Sequence, residues 1–138
     1  MRYVVLLAWL IQSSVGVSLL VSWWREGGRG SAIVVTHVGA GLLGLALWVG
    51  FLGTGSVVPA WLAWAVITIG NGFGEVMLLG RSRTKTGPRS LRKDYAATIA
   101  AALRGELPPR VVFHALFSGV VYFTCLGVCV SATIANTV

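Results

Sequence analysis

The sequence predicts an all-α membrane protein, an up-down bundle of four transmembrane helices with one amphipathic surface helix between the third and fourth spans. The first observation is that no Asp, Glu, Lys or Arg occurs between Ser31 and Gly74. Two apolar segments in that stretch, residues 33–52 and 61–79, are close to the ~20 residues needed to cross a bilayer. The second is that 56% of the 138 residues are hydrophobic, with a mean hydropathy of +0.82. Such a composition is typical of a membrane protein, here a single domain.

The first predicted span is residues 3–24. Its beginning resembles a secretory signal peptide, because Arg2 precedes an apolar run and a group of small residues. The apolar run nevertheless continues to Trp23 and Trp24, which lie where an interfacial aromatic belt is expected, just before Arg25. We therefore expect a retained transmembrane helix.

The second and third spans, residues 33–52 and 61–79, form a predicted helical hairpin whose turn is rich in glycine and ends near Pro59. The third span contains Gly70 and Gly74, a spacing of small residues that lets two helix backbones approach closely. We expect both glycines to pack against another helix.

A basic segment that begins at Arg81 and ends at Arg110 holds eight of the eleven basic residues. Residues 91–104 within it are predicted to form an amphipathic helix on the membrane surface, with its basic side toward anionic lipid headgroups and water. Its apolar stripe, which we expect to face inward, consists of Leu91, Tyr95, Ile99 and Leu103. A regulatory basic helix that docks a partner is the alternative.

The fourth predicted span is residues 111–134. It contains both cysteines of the chain, Cys125 and Cys129, inside an apolar helix. This position does not indicate a disulfide framework, and unpaired cysteine usually packs as a small apolar residue.

The distribution of basic residues predicts the orientation. The first and third loops carry ten of them, and Arg2 alone lies on the opposite side. We expect a multi-pass plasma-membrane protein with both termini outside and the basic loops in the cytoplasm. The net charge of +7 is then a topology signal and a contact for anionic lipid, and we expect no nucleic-acid partner.

Three ionisable residues lie within the predicted spans at a similar depth: His37, Glu75 and His114. At 1.5 Å per residue, each is ~6–8 Å below the boundary on the side of the basic loops. Ionisable groups inside a membrane are costly and mark functional sites by default.

Two of these residues suggest a haem. In an up-down bundle the second and fourth spans run parallel and lie at diagonal corners, so His37 and His114 are able to ligate one b-type haem iron from both sides. A flat macrocycle needs small neighbours beside each ligand, and Gly41, Gly44 and Ser118 follow the histidines on their helix faces. Apart from this haem iron, the sequence predicts no metal site.

Other interpretations of the same residues stay open. Glu75 is a candidate hydrogen-bond partner for a histidine Nδ1–H, or it neutralises an arginine of the loop. The two histidines with Glu75 are also a candidate site for Zn²⁺ or another divalent ion, although no His-x-x-x-His or Glu-x-x-His pair is present. A proton relay formed by these three residues is a further interpretation. In the simplest case, both histidines only hydrogen-bond to backbone or lipid headgroups near the interface.

Residues 37–44, followed by Trp48 and Gly50, resemble the His…Trp-x-Gly span of CopD-type and related small membrane proteins. These belong to the di-haem cytochrome b-like superfamily of four-helix membrane bundles. His114, ahead of a helix rich in small residues, is similar to the last span of that group. The di-haem members use four histidines and this chain has two, so the resemblance implies one haem at most. The glycine, alanine, arginine and tryptophan usage also resembles that of small actinobacterial membrane proteins.

Several enzyme classes lack their signatures. The sequence has no P-loop, no Ser/His/Asp set and no Cys-x-x-Cys. We therefore expect little or no catalytic activity of its own. The predicted function is that of a small haem-binding subunit for electron transfer, working with other integral membrane subunits of a larger complex. The alternative is a purely structural accessory or assembly subunit without a cofactor.

Overall fold

The structure, a computed structural model, describes residues 1–28, 30–86 and 90–137. All regular structure in these ranges is helical, which confirms the all-α prediction. The helices are α1 (Arg2–Arg25), α2 (Ser31–Thr54), α3 (Val57–Thr86), α4 (Leu91–Leu103) and α5 (Pro109–Thr137).

Four of these helices, α1, α2, α3 and α5, are long and apolar enough to cross a membrane, as the sequence predicts. The turn between α2 and α3 is shorter than expected. Gly55 ends α2 in the left-handed conformation at φ 71°, and its N–H donates to the carbonyl of Phe51. Pro59 lies inside the first turn of α3 rather than in the loop, because a proline costs no hydrogen bond there.

The helix contacts close a ring in the order α1, α2, α3, α5. The most extensive contact is between α2 and α3, and α5 packs on both α1 and α3. In such a ring α2 and α5, which carry the two histidines, lie at opposite corners. The first helix of the ring, α1, packs mainly on α5.

The apolar core fills one half of the bundle along its axis, the half that contains the N-terminal end of α1. Trp48 is fully buried, and its Nε1 donates to the carbonyl of Arg2 at 3.2 Å. The free cysteines Cys125 and Cys129 are also fully buried in this core. His37, Glu75, Asp94 and His114 lie in the other half, toward the loops between α1 and α2 and between α3 and α5.

The inward face of α4 differs from the expected one. Tyr95, Ile99 and Leu103 are 42%, 59% and 84% exposed, and the side chain of Leu91 lies outside the described residues. The buried residues of this helix are Asp94, Thr98 and Ala101. The expectation of an inward apolar stripe was wrong for Ile99 and Leu103, which are exposed, whereas the hydroxyl of Tyr95 bonds to Glu75 of α3. The smaller Thr98 and Ala101, together with Asp94, are the buried side chains on the packed face of α4.

Candidate histidine site

The two histidines of the chain meet inside the ring of helices. The imidazoles of His37 on α2 and His114 on α5 lie edge to face, with centroids 6.0 Å apart and an interplanar angle of 74°. Both side chains are half-buried. The structure thus brings together the two residues that the sequence marks as a candidate ligand pair.

One histidine has a defined hydrogen bond. Nδ1 of His37 lies 2.9 Å from the carbonyl oxygen of Gly70 on α3. A carbonyl only accepts hydrogen bonds, so Nδ1 is the protonated nitrogen. In a neutral His37 the lone pair available for ligation is then on Nε2. Metal-ligating histidines commonly have this arrangement, with the second nitrogen donating to a backbone carbonyl.

The predicted packing glycines lie directly against this histidine and its helix. A Cβ added at Gly74 would be 3.1 Å from Cε1 of His37, and one at Gly70 would be 3.2 Å from the Cβ of Ala40. Any larger residue at Gly74 would push the imidazole aside. Gly70 therefore provides the carbonyl that is paired with His37, and Gly74 provides the space for the His37 ring.

Gln12 and Gly16 on α1 hold the second histidine, and the sequence did not mark either as a site residue. A Cβ at Gly16 would lie 3.2 Å from Cε1 of His114, almost the same approach as Gly74 makes to His37. Gln12 is 9% exposed, and its Nε2 donates to the main-chain oxygen of His114 at 2.9 Å.

The two histidine seats share one spacing. In each, a residue bonded to the histidine is followed four positions later by a glycine that lies close to the ring. Gly70, whose carbonyl is paired with Nδ1 of His37, precedes Gly74, and Gln12, whose side chain bonds to the His114 carbonyl, precedes Gly16. Positions four apart lie on one face of a helix. This repeated spacing at a similar depth was the available sequence signal for the α1 seat.

The small residues predicted to flank a haem differ in their surroundings. A Cβ at Gly44 would lie 2.8 Å from Cζ2 of Trp9, so this glycine makes room for a tryptophan of the core. Ser118 donates to the carbonyl of Ala115 in its own helix at 2.7 Å. Only Gly41 faces open space, with nothing within 4 Å of an added Cβ.

Glu75 does not contact the histidines as a hydrogen-bond partner. Nδ1 of His37 is already paired with the Gly70 carbonyl, and Oε2 of Glu75 accepts a hydrogen bond of 2.7 Å from the hydroxyl of Tyr95 on α4. The negative Glu75 carboxylate raises the pKa of Tyr95, chiefly because it accepts the phenolic proton in this hydrogen bond. Glu75 therefore connects α3 to α4.

The separation of the two rings can be compared with that of two imidazoles on one metal ion. Two imidazoles that bind one ion from opposite sides at about 2.0–2.1 Å have centroids about 6.4 Å apart, and the observed separation is 6.0 Å with the ring planes at 74°. No group of three or more His, Cys, Asp or Glu side chains that could hold a metal ion is found among the described residues.

Comparison with known proteins finds no matching family model, no similar curated protein and no similar solved structure. The resemblance to CopD-type and di-haem cytochrome b-like proteins stays a prediction from sequence.

Proposed function

We propose that this protein is an integral membrane subunit that holds one b-type haem between His37 and His114 and takes part in electron transfer. Insertion into a membrane is supported by the outer surface of the long helices, where large apolar side chains are exposed on every side. Examples are Leu7, Leu10, Val17, Val35, Leu42, Val58, Ile69, Val76, Leu116 and Phe123.

The observation that carries the haem proposal is the paired imidazoles 6.0 Å apart on opposite helices, one with Nδ1 bonded to the Gly70 carbonyl. His37 and His114 are the two ligands. Gly74 and Gly16 let the rings lie close to the neighbouring helix backbones. A bis-histidine haem supplies reversible one-electron transfer at a low-spin iron.

The chain's own contribution is to hold and orient these ligands. The Gly70 carbonyl fixes the tautomer of His37 and leaves Nε2 for the iron. Trp9 and Trp48 close the adjacent core, with ring centroids 6.3 Å apart, and keep water from that side of the site. We propose no separate catalytic activity for it and expect other integral membrane subunits as its electron-transfer partners.

The orientation follows the basic loops. We place both termini outside and the basic loops in the cytoplasm, with α4 at the plasma-membrane surface. The exposed Ile99 and Leu103 of α4 then face acyl chains, while the exposed Arg92 and Lys93 reach anionic headgroups.

The experiment is an absorption spectrum of the purified protein, expressed in cells that make haem and kept in detergent. We expect Soret and α bands of a low-spin b-type haem on reduction, at one haem per chain. Protein that folds, is stable and remains colourless after incubation with added haemin would overturn the proposal. That result would favour the cofactor-free accessory subunit.

A further inference from the structure

Two buried polar atoms in the histidine site have no hydrogen-bond partner within the described part of the chain. They are Oε1 of Gln12 and Nδ1 of His114. The residues that carry them are already joined, since Nε2 of Gln12 donates to the main-chain oxygen of His114 at 2.9 Å. Buried polar groups are nearly always satisfied in folded proteins. Oε1 of Gln12 is an acceptor and Nδ1 of His114 is a ring nitrogen, and both lack a partner. We take this as a sign that the two atoms form a hydrogen bond in another state of the site.

The other histidine shows what that bond provides. Nδ1 of His37 is paired with the Gly70 carbonyl, the usual outer partner of a ligating imidazole. Such a partner fixes the tautomer and the ring orientation, and it makes the ligating nitrogen more basic. His114 lacks an equivalent partner for its own Nδ1.

We propose that Gln12 is the positioning residue of His114: its amide oxygen accepts the Nδ1–H of His114 when the site holds haem. This inference rests on the proposed function. A primary amide has an acceptor and a donor side by side, so Gln12 can keep its bond to the His114 carbonyl while it accepts from the ring. A single buried side chain of α1 then holds both the backbone and the imidazole of the α5 ligand.

The position of Gln12 supports this role. It lies one helical turn before Gly16, whose backbone is in contact with the same imidazole. At 9% exposure the side chain has little access to solvent or lipid. The acceptor is therefore already inside the site, and the ring is already seated on the helix that carries it.

The test replaces Gln12 with Met, which keeps the approximate length and removes both donor and acceptor. We expect haem to bind 10–100-fold more weakly, the range for loss of an outer hydrogen-bond partner. We also expect a more positive midpoint potential, because a less basic imidazole stabilises ferric iron less. Gln12→Glu keeps an acceptor and should restore most of the affinity. Ser14→Ala on the same helix, which removes an exposed hydroxyl bonded to the Leu10 carbonyl, is the matched control and should change neither quantity.

A second readout follows the ring itself. In the reduced, diamagnetic haem-loaded protein, ¹⁵N chemical shifts should show the Nδ1–H of His114 in a hydrogen bond, and Gln12→Met should remove that signature. Wild-type protein without haem would overturn the proposed function and this inference with it. Haem-loaded wild type with unchanged affinity and potential in Gln12→Met would overturn this inference alone. If the Met variant does not fold, a wild-type Nδ1–H of His114 without a hydrogen bond in the haem-loaded protein, or 10–100-fold weaker haem binding by Gln12→Glu, would overturn it.

Discussion

The imidazoles of His37 and His114 lie edge to face with centroids 6.0 Å apart, and each also touches a glycine of a neighbouring helix. Gly74 of α3 is against the first ring and Gly16 of α1 is against the second. All four long helices therefore contribute to one small polar region. Substitutions that face this region from any of the four helices should therefore affect the same histidine site.

Replacing either histidine with alanine should abolish haem absorption, because each provides one of the two axial ligands that we propose. We expect His37→Ala and His114→Ala each to lose the reduced Soret and α bands in protein purified at normal yield. Thr36→Ala is the control, since Thr36 is exposed and bonds only to the Ala32 carbonyl of its own helix. Wild-type spectra in either histidine variant would contradict the assignment of ligands.

Gly74→Ala should disturb the site, whereas Gly72→Ala should not. The new Cβ at position 74 would lie 3.1 Å from Cε1 of His37, while an added Cβ at Gly72 meets nothing within 4 Å. The first change should displace the ring from the Gly70 carbonyl and reduce haem content. The second should raise helix stability by up to about 1 kcal/mol. Haem-to-protein ratio and thermal unfolding in detergent measure the two effects; equal behaviour of the pair would refute the close approach.

A second pair of glycines tests the core. Gly44→Ala places a Cβ 2.8 Å from Cζ2 of Trp9, and we expect overpacking to cost roughly 1–3 kcal/mol. Gly41→Ala, on the same helix with nothing within 4 Å, should be neutral or stabilising. Reversible unfolding in mixed micelles, followed by circular dichroism, compares them. A more stable Gly44→Ala variant would show that Trp9 does not occupy this position.

The contact between α3 and α4 should weaken in alkali. The pKa of Tyr95 is raised above its usual value by its hydrogen bond to Glu75. Because the pKa is higher in the folded state, the contribution of this bond is complete below the unfolded value of about 10 and is lost as the pH rises through the folded pKa. Ultraviolet titration of tyrosinate should show that Tyr95 ionises above its usual pKa, and Glu75→Gln should bring the pKa of Tyr95 back toward about 10.

Tyr95→Phe identifies the residue in that titration, because it should remove the late-ionising phenol and leave the remaining tyrosine absorbance unchanged. A titration curve that is the same in wild type and Glu75→Gln would contradict the hydrogen bond.

The orientation is testable with single cysteines. Ser56, in the turn between α2 and α3, and Ser90, before α4, are both exposed. With an impermeant thiol reagent added to intact cells, Ser56→Cys should be labelled and Ser90→Cys should be labelled only after lysis. Wild-type protein is the control, since its two cysteines are fully buried. Labelling of Ser90→Cys from outside would reverse the topology.

The sequence predicts the helical class and the four long helices because a bilayer-length apolar run is a local property of the chain. Residues 31–74, without a charged side chain, are enough to indicate the α2–α3 hairpin. The sequence also indicates His37 and His114 as a pair, since depth along a helix can be counted from the loop. Gly70 and Gly74 stand out by their spacing alone.

Only the tertiary structure decides which neighbour each of these residues meets. Rotation of a helix about its axis is set by packing and leaves little trace in a helix that is apolar on every side. For this reason Gly44 lies against Trp9, Glu75 bonds to Tyr95, and Asp94 rather than the apolar stripe of α4 faces inward. The seat of His114 on Gln12 and Gly16 depends on how α1 is rotated against α5. That rotation is fixed by contacts between distant parts of the chain, which no local pattern contains.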